Sequence, residues 1–220
     1  MELATRILLG CLLAASAGSA IAGQVVVSVG DARGRAVVDA VVTLRPVGGS
    51  PAAMATPATP DRHIIDQRNL QFMPYLQVFR PGDEVVFRNS EATRHHVYSF
   101  SPARAFEFVL GPGQRSPPLK LDKPGAIAVG CNIHDQMIAY LYVTDAPRFV
   151  QTTATGRAVF DALPSGDYEV RVWQPRLRPG KPEPRQQVRV AGAGPATTVS
   201  VSLRLLPDPR SQAGREHVHY

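Results

Sequence analysis

The chain has 220 residues, of which 44% are hydrophobic, and it carries a formal net charge of +6. This apolar content can fill real cores, and the length suits one large domain or two small ones, so disorder throughout is excluded. The basic balance favours acidic protein partners or anionic surfaces. Nucleic acid is not expected as a partner, because the arginines are scattered and no nucleic-acid-binding motif accompanies them.

The first 22 residues have the pattern of an export signal. Arg6 supplies the charged start, an apolar stretch follows at 7–15, and Ala20-Ile21-Ala22 offers a small-x-small cleavage site before Gly23. We therefore expect a cleaved signal peptide at 1–22 and a periplasmic protein that begins near Gly23. No later run approaches the roughly 20 apolar residues that a spanning helix needs, so we expect no transmembrane segment.

Cys131 would be the single cysteine after removal of this signal, because the other one, Cys11, lies within it. No intramolecular disulfide could then form, although the destination is oxidising. A lone exported thiol is either a small buried hydrophobe or a thiolate that a bound metal protects. Its neighbours His134 and Met137 favour the metal.

Helical periodicity is nearly absent from the rest of the chain. Short runs rich in Val, Ile, Tyr and Phe recur between Gly, Pro and Asp turns, which predicts an all-β sandwich fold. Alternation within these runs predicts Phe100, Phe108, Tyr140 and Tyr142 as core residues. In chain order the predicted strands are 24–29, 37–44, 64–67, 76–79, 84–89, 96–100, 106–110, 126–130, 139–143, 158–160, 168–173, 187–190 and 198–203.

Three segments have the composition of loops or tails. Residues 47–61 hold Pro, Ala, Gly and Thr with hardly a large side chain, and residues 175–184 alternate Pro with Arg and Lys. We interpret both as linkers or mobile loops. The polar segment 207–220 is predicted to be a disordered tail.

The segment VGCNIHDQM places Cys131, His134 and Met137 three residues apart, and His95 and His96 lie upstream. Thiolate and thioether suit Cu(I), whereas imidazole also accepts Cu(II). A plane of two histidines and one cysteine with a weak axial methionine is therefore the ligand set of type-1 (blue) copper electron-transfer centres. A tight loop at 132–136 would let these side chains turn toward one point. Taken alone, the Cys-x2-His-x2-Met string is a weak signal.

The segment PGDEVVFRNSEATRHHVYSF adds to this signal. Together with the Cys-x2-His-x2-Met loop it resembles the cupredoxin family, in particular the plastocyanin and amicyanin type. In that family a G-x-x-V-x-F-x-N strand leads to the first ligand His six residues after its Asn, here Asn89. The resemblance implies a Greek-key β-sandwich over residues 61–146 and one copper ion per chain. The ligands that it implies are His95, Cys131, His134 and Met137.

The sequence departs from this family on either side of His95, where Arg94 and His96 replace the usual Pro and Asn. His96 could hydrogen-bond across the ligand loops, alternate with His95 as a ligand, or face solvent. We prefer the first interpretation, because such outer contacts orient ligands and tune the metal.

Three further residues are candidates for influence on the site. Asn89 precedes the His95 loop, and Asp135 would place a negative charge beside His134. Glu91 is interpreted as a solvated loop carboxylate, and its entry into the coordination sphere is the alternative.

The regions on either side of the copper segment carry a second resemblance. Residues 25–44 (VVVSVGDARGRAVVDAVVTL) and 156–173 (GRAVFDALPSGDYEVRVW) resemble two consecutive parts of a transthyretin-like or carboxypeptidase-regulatory-like sandwich. This resemblance implies that 23–60 and 147–206 form one small discontinuous domain. The copper domain would then be inserted between its two parts.

The function expected from these features is that of a periplasmic copper protein that carries single electrons between redox partners. The whole-chain pattern resembles exported methylamine-utilisation or plastocyanin-like proteins, which implies a cytochrome c or an amine-oxidising dehydrogenase as partner. Storage, delivery or sensing of copper by the same ligands is the alternative. An enzyme is not expected, because the Met-capped ligand set leaves no obvious vacancy and no Ser/His/Asp or paired-carboxylate arrangement accompanies it.

Overall fold

The computed structural model describes residues 23–48, 59–134, 136–192 and 194–212. Within these ranges the chain is all-β, which confirms the predicted fold class, and one short 3-10 helix follows the last strand at Pro209–Gln212. The predicted signal peptide lies outside the described residues. Among the residues described, no helix is long and apolar enough to cross a membrane.

The strands alternate with short turns along the whole described chain. In chain order they are β1 (Gly23–Asp31), β2 (Val41–Pro46), β3 (Arg62–Arg68), β4 (Gln71–Met73), β5 (Leu76–Phe79), β6 (Glu84–Asn89), β7 (His95–Ser101), β8 (Arg104–Leu110), β9 (Leu119–Lys120), β10 (Gly125–Cys131), β11 (Ile138–Val143), β12 (Arg148–Gln151), β13 (Arg157–Leu163), β14 (Gly166–Trp173), β15 (Arg185–Val190) and β16 (Thr197–Leu203).

The first and last strands of the chain together build one sandwich, which we call the flanking sandwich. Its two sheets have the strand orders β13-β1-β16 and β12-β2-β14-β15. Along β14, Tyr168, Val170 and Val172 are buried and alternate with more exposed neighbours, as one face of a strand requires. They pack in one core with residues of β1, including Val27, so strands from both ends of the chain share it.

Strands β3 to β11 build a second sandwich, the central sandwich. Its sheets have the orders β5-β11-β10-β7-β8 and β4-β3-β6-β9. Fully buried residues such as Ile65, Phe87 and Leu141 form its core, and Cys131 and Met137 belong to the same cluster. Strand β10 lies between β7 and β11, so the end of β10 at Cys131 sits in the middle of the five-stranded sheet.

A third apolar cluster joins the two sandwiches. Trp173 of β14 stacks on Tyr142 of β11 with ring centroids 4.6 Å apart, and its centroid is 6.0 Å from that of Tyr140. The flanking sandwich thereby covers the outer face of β5 and β11.

The flanking sandwich does not cover the outer face of β7, where Phe100 is 81% exposed. The prediction that Phe100 is a core residue is wrong. Its alternation along the strand is correct for a sandwich, but the face on which it lies meets solvent. Tyr140 and Tyr142 lie between the sandwiches, and Phe108 packs partly against the central core.

The C-terminal 3-10 helix falls inside the segment 207–220 that the sequence predicts to be disordered. Arg210 lies over the ring of Tyr75, 3.7 Å from its centroid, and Nη1 of Arg210 lies 3.3 Å from Asp39 Oδ2. Tyr75 belongs to the central sandwich region and Asp39 to the flanking one, so Arg210 bridges the two. Residues 213–220 lie outside the described ranges.

Substitution of Trp173 by alanine should uncouple the sandwiches. The loss of a half-buried indole stacked on Tyr142 is expected to cost about 2–3 kcal/mol of unfolding free energy. We expect calorimetry to show separate unfolding transitions for the two sandwiches. Phe100→Ala is the control, because an exposed aromatic should change stability by less than about 0.5 kcal/mol. A single transition at the wild-type temperature in Trp173→Ala would contradict this role.

Candidate metal centre

Strand pairing brings the upstream histidine to the cysteine. Antiparallel pairing of β10 with β7 sets Cys131 opposite Val97. His95 lies two residues before Val97 on the same strand and therefore points to the same inward face. Both His95 and Cys131 are buried, with 0% and 3% of their surface exposed.

Three of the four predicted donor side chains converge on one point. Cys131 Sγ lies 3.7 Å from His95 Nδ1 and 3.9 Å from His134 Nδ1. Three donor atoms, one from each residue, all lie within 4.8 Å of one another. Ligand atoms about 2.0–2.3 Å from a metal in a trigonal plane are about 3.8 Å apart, so the three residues fit a metal ion between them.

Met137, the fourth predicted donor, closes the loop after Cys131. The Cys131 amide donates to the Met137 carbonyl at 3.2 Å, and the Met137 amide donates to the His134 carbonyl at 2.9 Å. The Met137 side chain is 1% exposed and belongs to the same core cluster as Cys131. The predicted tight loop between strands is therefore present, with Met137 at its return point.

Asn89 holds the loop that leads to His95. Its side chain is fully buried, and Nδ2 donates to the carbonyls of Thr93 at 2.7 Å and Leu110 at 3.0 Å. Its Oδ1 accepts from the Glu91 amide at 2.9 Å. Asn89 therefore fixes the backbone on both sides of the turn, which agrees with a supporting role next to the site.

Glu91 is neither a solvated carboxylate nor a group at the converging donor atoms. Its Oε2 lies 2.5 Å from His95 Nε2, and its Oε1 accepts from the Leu70 amide at 2.8 Å. Its side chain is only 15% exposed. Because a carboxylate accepts, a neutral His95 would carry its proton on Nε2, which would leave the lone pair of Nδ1 directed toward Cys131.

Sequence reasoning missed this role of Glu91. The spacing of four residues from His95 was visible, but nothing in the sequence indicates that a turn at Asn69 and Leu70 delivers a backbone amide to the carboxylate. Both turn residues have positive φ angles of 54°. The hairpin between β3 and β4, which lies 21 residues before Glu91, thus supplies the donor to its second carboxylate oxygen.

His96 points away from the donor cluster. Its Nε2 lies 2.8 Å from Glu107 Oε1 of the neighbouring strand β8, and its ring lies beside Tyr98 on the outer face. The His96 carbonyl accepts from the Asn132 amide at 3.3 Å, which continues the backbone pairing of β7 with β10. The preferred interpretation, a hydrogen bond from the His96 side chain across the ligand loops, is therefore wrong.

The remaining predicted positions differ in exposure. His134 is only partly buried, and its neighbour Ile133 is 49% exposed, so this side of the site approaches the surface. Asp135 lies outside the described residues.

Gly130 makes room for an aromatic ring on the outer face of the sheet, opposite to the face of the donor atoms. A Cβ at this position would lie 3.1 Å from Tyr98 Cζ and 3.2 Å from its hydroxyl oxygen. A side chain at position 130 would therefore require the Tyr98 ring, which lies over β10 on the outer face of the sheet, to shift by a few tenths of an ångström.

An ion-pair cluster supports the strand that precedes the His95 loop. Asp66 of β3 accepts from Arg88 Nη2 at 2.6 Å, from Arg68 Nε at 2.6 Å and from Ser90 Oγ at 2.7 Å. Burial by itself would raise the pKa of Asp66, but these donors outweigh it and lower the pKa to about 2. The cluster anchors Ser90 and thereby the backbone that carries its neighbours Asn89 and Glu91.

No protein-family model matches the sequence, and no curated protein matches it. Among solved structures, a copper(I) form of an amicyanin variant is 18% identical with a TM-score of 0.35, covering 38% of this chain and 82% of that one. A reduced amicyanin variant is 21% identical with a TM-score of 0.36, covering 46% of this chain and 99% of that one.

A copper-containing nitrite reductase from Thermus scotoductus SA-01 is 23% identical with a TM-score of 0.36. The match covers 46% of this chain and only 25% of the reductase. All three likenesses concern less than half of this chain. Two imidazoles, a thiolate and a nearby thioether are a donor set suited to copper.

Substitution of Asp66 by asparagine should destabilise the protein in a pH-dependent way. Because folding lowers the pKa of Asp66, its stabilisation is present above about pH 4 and is lost as the pH falls toward 2. We expect a loss of about 1 kcal/mol at neutral pH, after allowance for solvent screening, that vanishes near pH 2. Denaturant unfolding across this range measures it.

Asp122→Asn is the matched control, since Asp122 pairs with Lys120 on the surface with 64% of its side chain exposed. It should change little at any pH. An Asp66→Asn deficit of equal size at neutral and acidic pH would show that the carboxylate's charge is not what stabilises the fold.

Substitution of Glu91 by glutamine should weaken metal binding. The amide keeps an acceptor for Leu70 but removes the charge that strengthens His95 as a donor, so we expect about a tenfold loss of Cu(II) affinity. Competition with a chelator measures this loss. Glu107→Gln, which alters the partner of His96 instead, should leave the affinity unchanged. Equal losses in both variants would contradict the distinct roles of the two histidines.

Proposed function

We propose that the protein is an exported, periplasmic copper protein that carries single electrons between redox partners. One copper ion per chain would be held by His95, Cys131, His134 and Met137. The observation that carries this proposal is the convergence of the two imidazoles on Cys131 Sγ at 3.7 and 3.9 Å. Copper in this ligand set supplies a one-electron couple.

Rigid support of the donors favours electron transfer over copper handling. His95 and Cys131 lie on neighbouring strands of one sheet, and backbone hydrogen bonds close the Met137 loop. Little donor movement would then accompany a change of oxidation state. A storage or delivery protein, which must exchange its metal, gains nothing from this rigidity, and it remains the second candidate because the ligands are the same.

The partly exposed His134 is the proposed exit for the electron. His95 is fully buried and its Nε2 is occupied by Glu91, whereas His134 lies beside the exposed Ile133. A redox protein, such as a cytochrome c or an amine-oxidising dehydrogenase, would approach this side. We propose no catalytic reaction at the site. The nearby carboxylate of Glu91, which could serve as an acid or base, contacts Nε2 of His95 rather than the converging donor atoms.

We also propose that the two sandwiches are separate domains, the central one of the cupredoxin type and the flanking one transthyretin-like. Each has its own core, and the flanking core draws on strands from both ends of the described chain. Copper binding would then belong to residues 61–146.

Copper-loaded protein should show intense visible absorption from charge transfer between the thiolate and Cu(II). Cys131→Ser should abolish this band, and His95→Ala should strongly change the paramagnetic-resonance spectrum. His96→Ala should leave both spectra unchanged, because its imidazole faces the other side of the sheet. Cyclic voltammetry is expected to give a stable one-electron couple.

Two outcomes would contradict the proposal. Retention of the visible band in Cys131→Ser would exclude the thiolate as ligand. Ready exchange of Cu(I) without reversible cycling would favour storage or delivery instead.

A further inference from the structure

The net positive charge of the protein belongs to the flanking sandwich. Residues 61–146, which include the metal centre, hold nine Lys or Arg and nine Asp or Glu. Residues 23–60 and 147–206 hold twelve Lys or Arg and six Asp or Glu. The whole excess of +6 therefore lies outside the central sandwich, and the metal centre does not account for it.

Half of these twelve cations line one groove of the flanking sandwich. The groove consists of two adjoining cavities of about 530 and 490 Å³ that share Arg204, Leu205 and Leu206. We call it the cationic groove. Its cations are Arg33, Arg35, Arg176, Arg178, Lys181 and Arg204.

The groove is a built feature of the fold rather than a chance meeting of side chains. Leu177 and Leu205 form an antiparallel bridge, and the Leu206 amide donates to the Arg176 carbonyl at 2.9 Å. These bonds hold the 174–184 loop against the segment after β16. The leucines of this bridge give the groove an apolar lining, and Leu206 is 41% exposed within it.

Two carboxylates, those of Asp31 and Asp208, also line the groove, so its six cations leave an excess of positive charge. Arg35 pairs with Asp31 at 2.7 Å. Among the described residues, however, no carboxylate pairs with Arg178, Lys181 or Arg204. Arg176 Nε is buried and has no acceptor within the described part of the chain.

We propose that the cationic groove docks an acidic polypeptide segment of a partner protein, with carboxylates interleaved with apolar side chains. Guanidinium groups bind carboxylates through paired, directional hydrogen bonds, and the recessed leucines would accept the apolar side chains. The concave shape and apolar lining favour a polypeptide over a flat anionic bilayer. Such a site would also steer acidic partners to the protein at low salt. This proposal does not depend on copper.

The test uses the full chain and a fluorescent peptide of alternating glutamate and leucine. We expect saturable binding that weakens with added salt, and no binding of the matching lysine and leucine peptide. Arg178→Glu with Arg204→Glu should weaken binding by at least about tenfold.

The matched control is Arg157→Glu with Arg189→Glu, which makes the same change of net charge on the same sandwich outside the groove. It should weaken binding by less than about threefold. Circular-dichroism melting curves of both double variants should match that of the wild type.

Three results would overturn the proposal. Equal weakening in the two double variants would indicate attraction by net charge alone. Unchanged binding in the groove variant would place the peptide elsewhere. Binding of phosphatidylglycerol vesicles without binding of the peptide would make the groove a membrane contact.

Discussion

A fully buried imidazole needs a partner for each of its two ring nitrogens, and His95 sets this requirement at the centre of the protein. Glu91 accepts from Nε2, which leaves Nδ1 as the atom directed at Cys131. The tautomer of His95, and with it the use of His95 as a metal donor, therefore depends on a carboxylate that lies on the far side of the ring.

The support of Glu91 extends outward through several layers of the central sandwich. The Leu70 amide holds its second oxygen, and the Asn89 side chain accepts from its backbone amide. Asn89 follows Arg88, which pairs with Asp66. The site is thus fixed from β3 and β6 in one sheet as well as from β7 and β10 in the other, and disturbance of either sheet should reach the metal donors.

The sequence was sufficient to predict the all-β class and two of the three residues that converge, Cys131 and His134. Cys131 and His134 are close in sequence, and a loop between two strands brings their donor atoms together with little help from the rest of the fold. The family resemblance selects His95 over His96, because the approach of His95 depends on the pairing of β7 with β10, which local patterns do not encode.

The wrong predictions for Phe100 and His96 also arise from tertiary contacts that local patterns do not encode. Alternation correctly places Phe100 and His96 on one face of β7, but it does not indicate whether that face is covered. Trp173 covers the outer face at β11, whereas the face at β7 is left to solvent, and so Phe100 is exposed and His96 pairs with the surface residue Glu107. The contact between sandwiches, which decides this, is a tertiary property.

The separation of charge between the sandwiches has a consequence for the metal centre. Charges separated by more than about 8 Å through water are largely screened at physiological salt, whereas a buried pair is screened much less. The cations of the flanking sandwich are mostly exposed, so they act mainly on approaching partners. The carboxylate of Glu91, in direct contact with His95, acts on the donor set. The attraction of a partner and the affinity for the metal can therefore change independently. Exposed cations of the flanking sandwich govern the attraction, and the hydrogen bond between Glu91 and His95 governs the donor set.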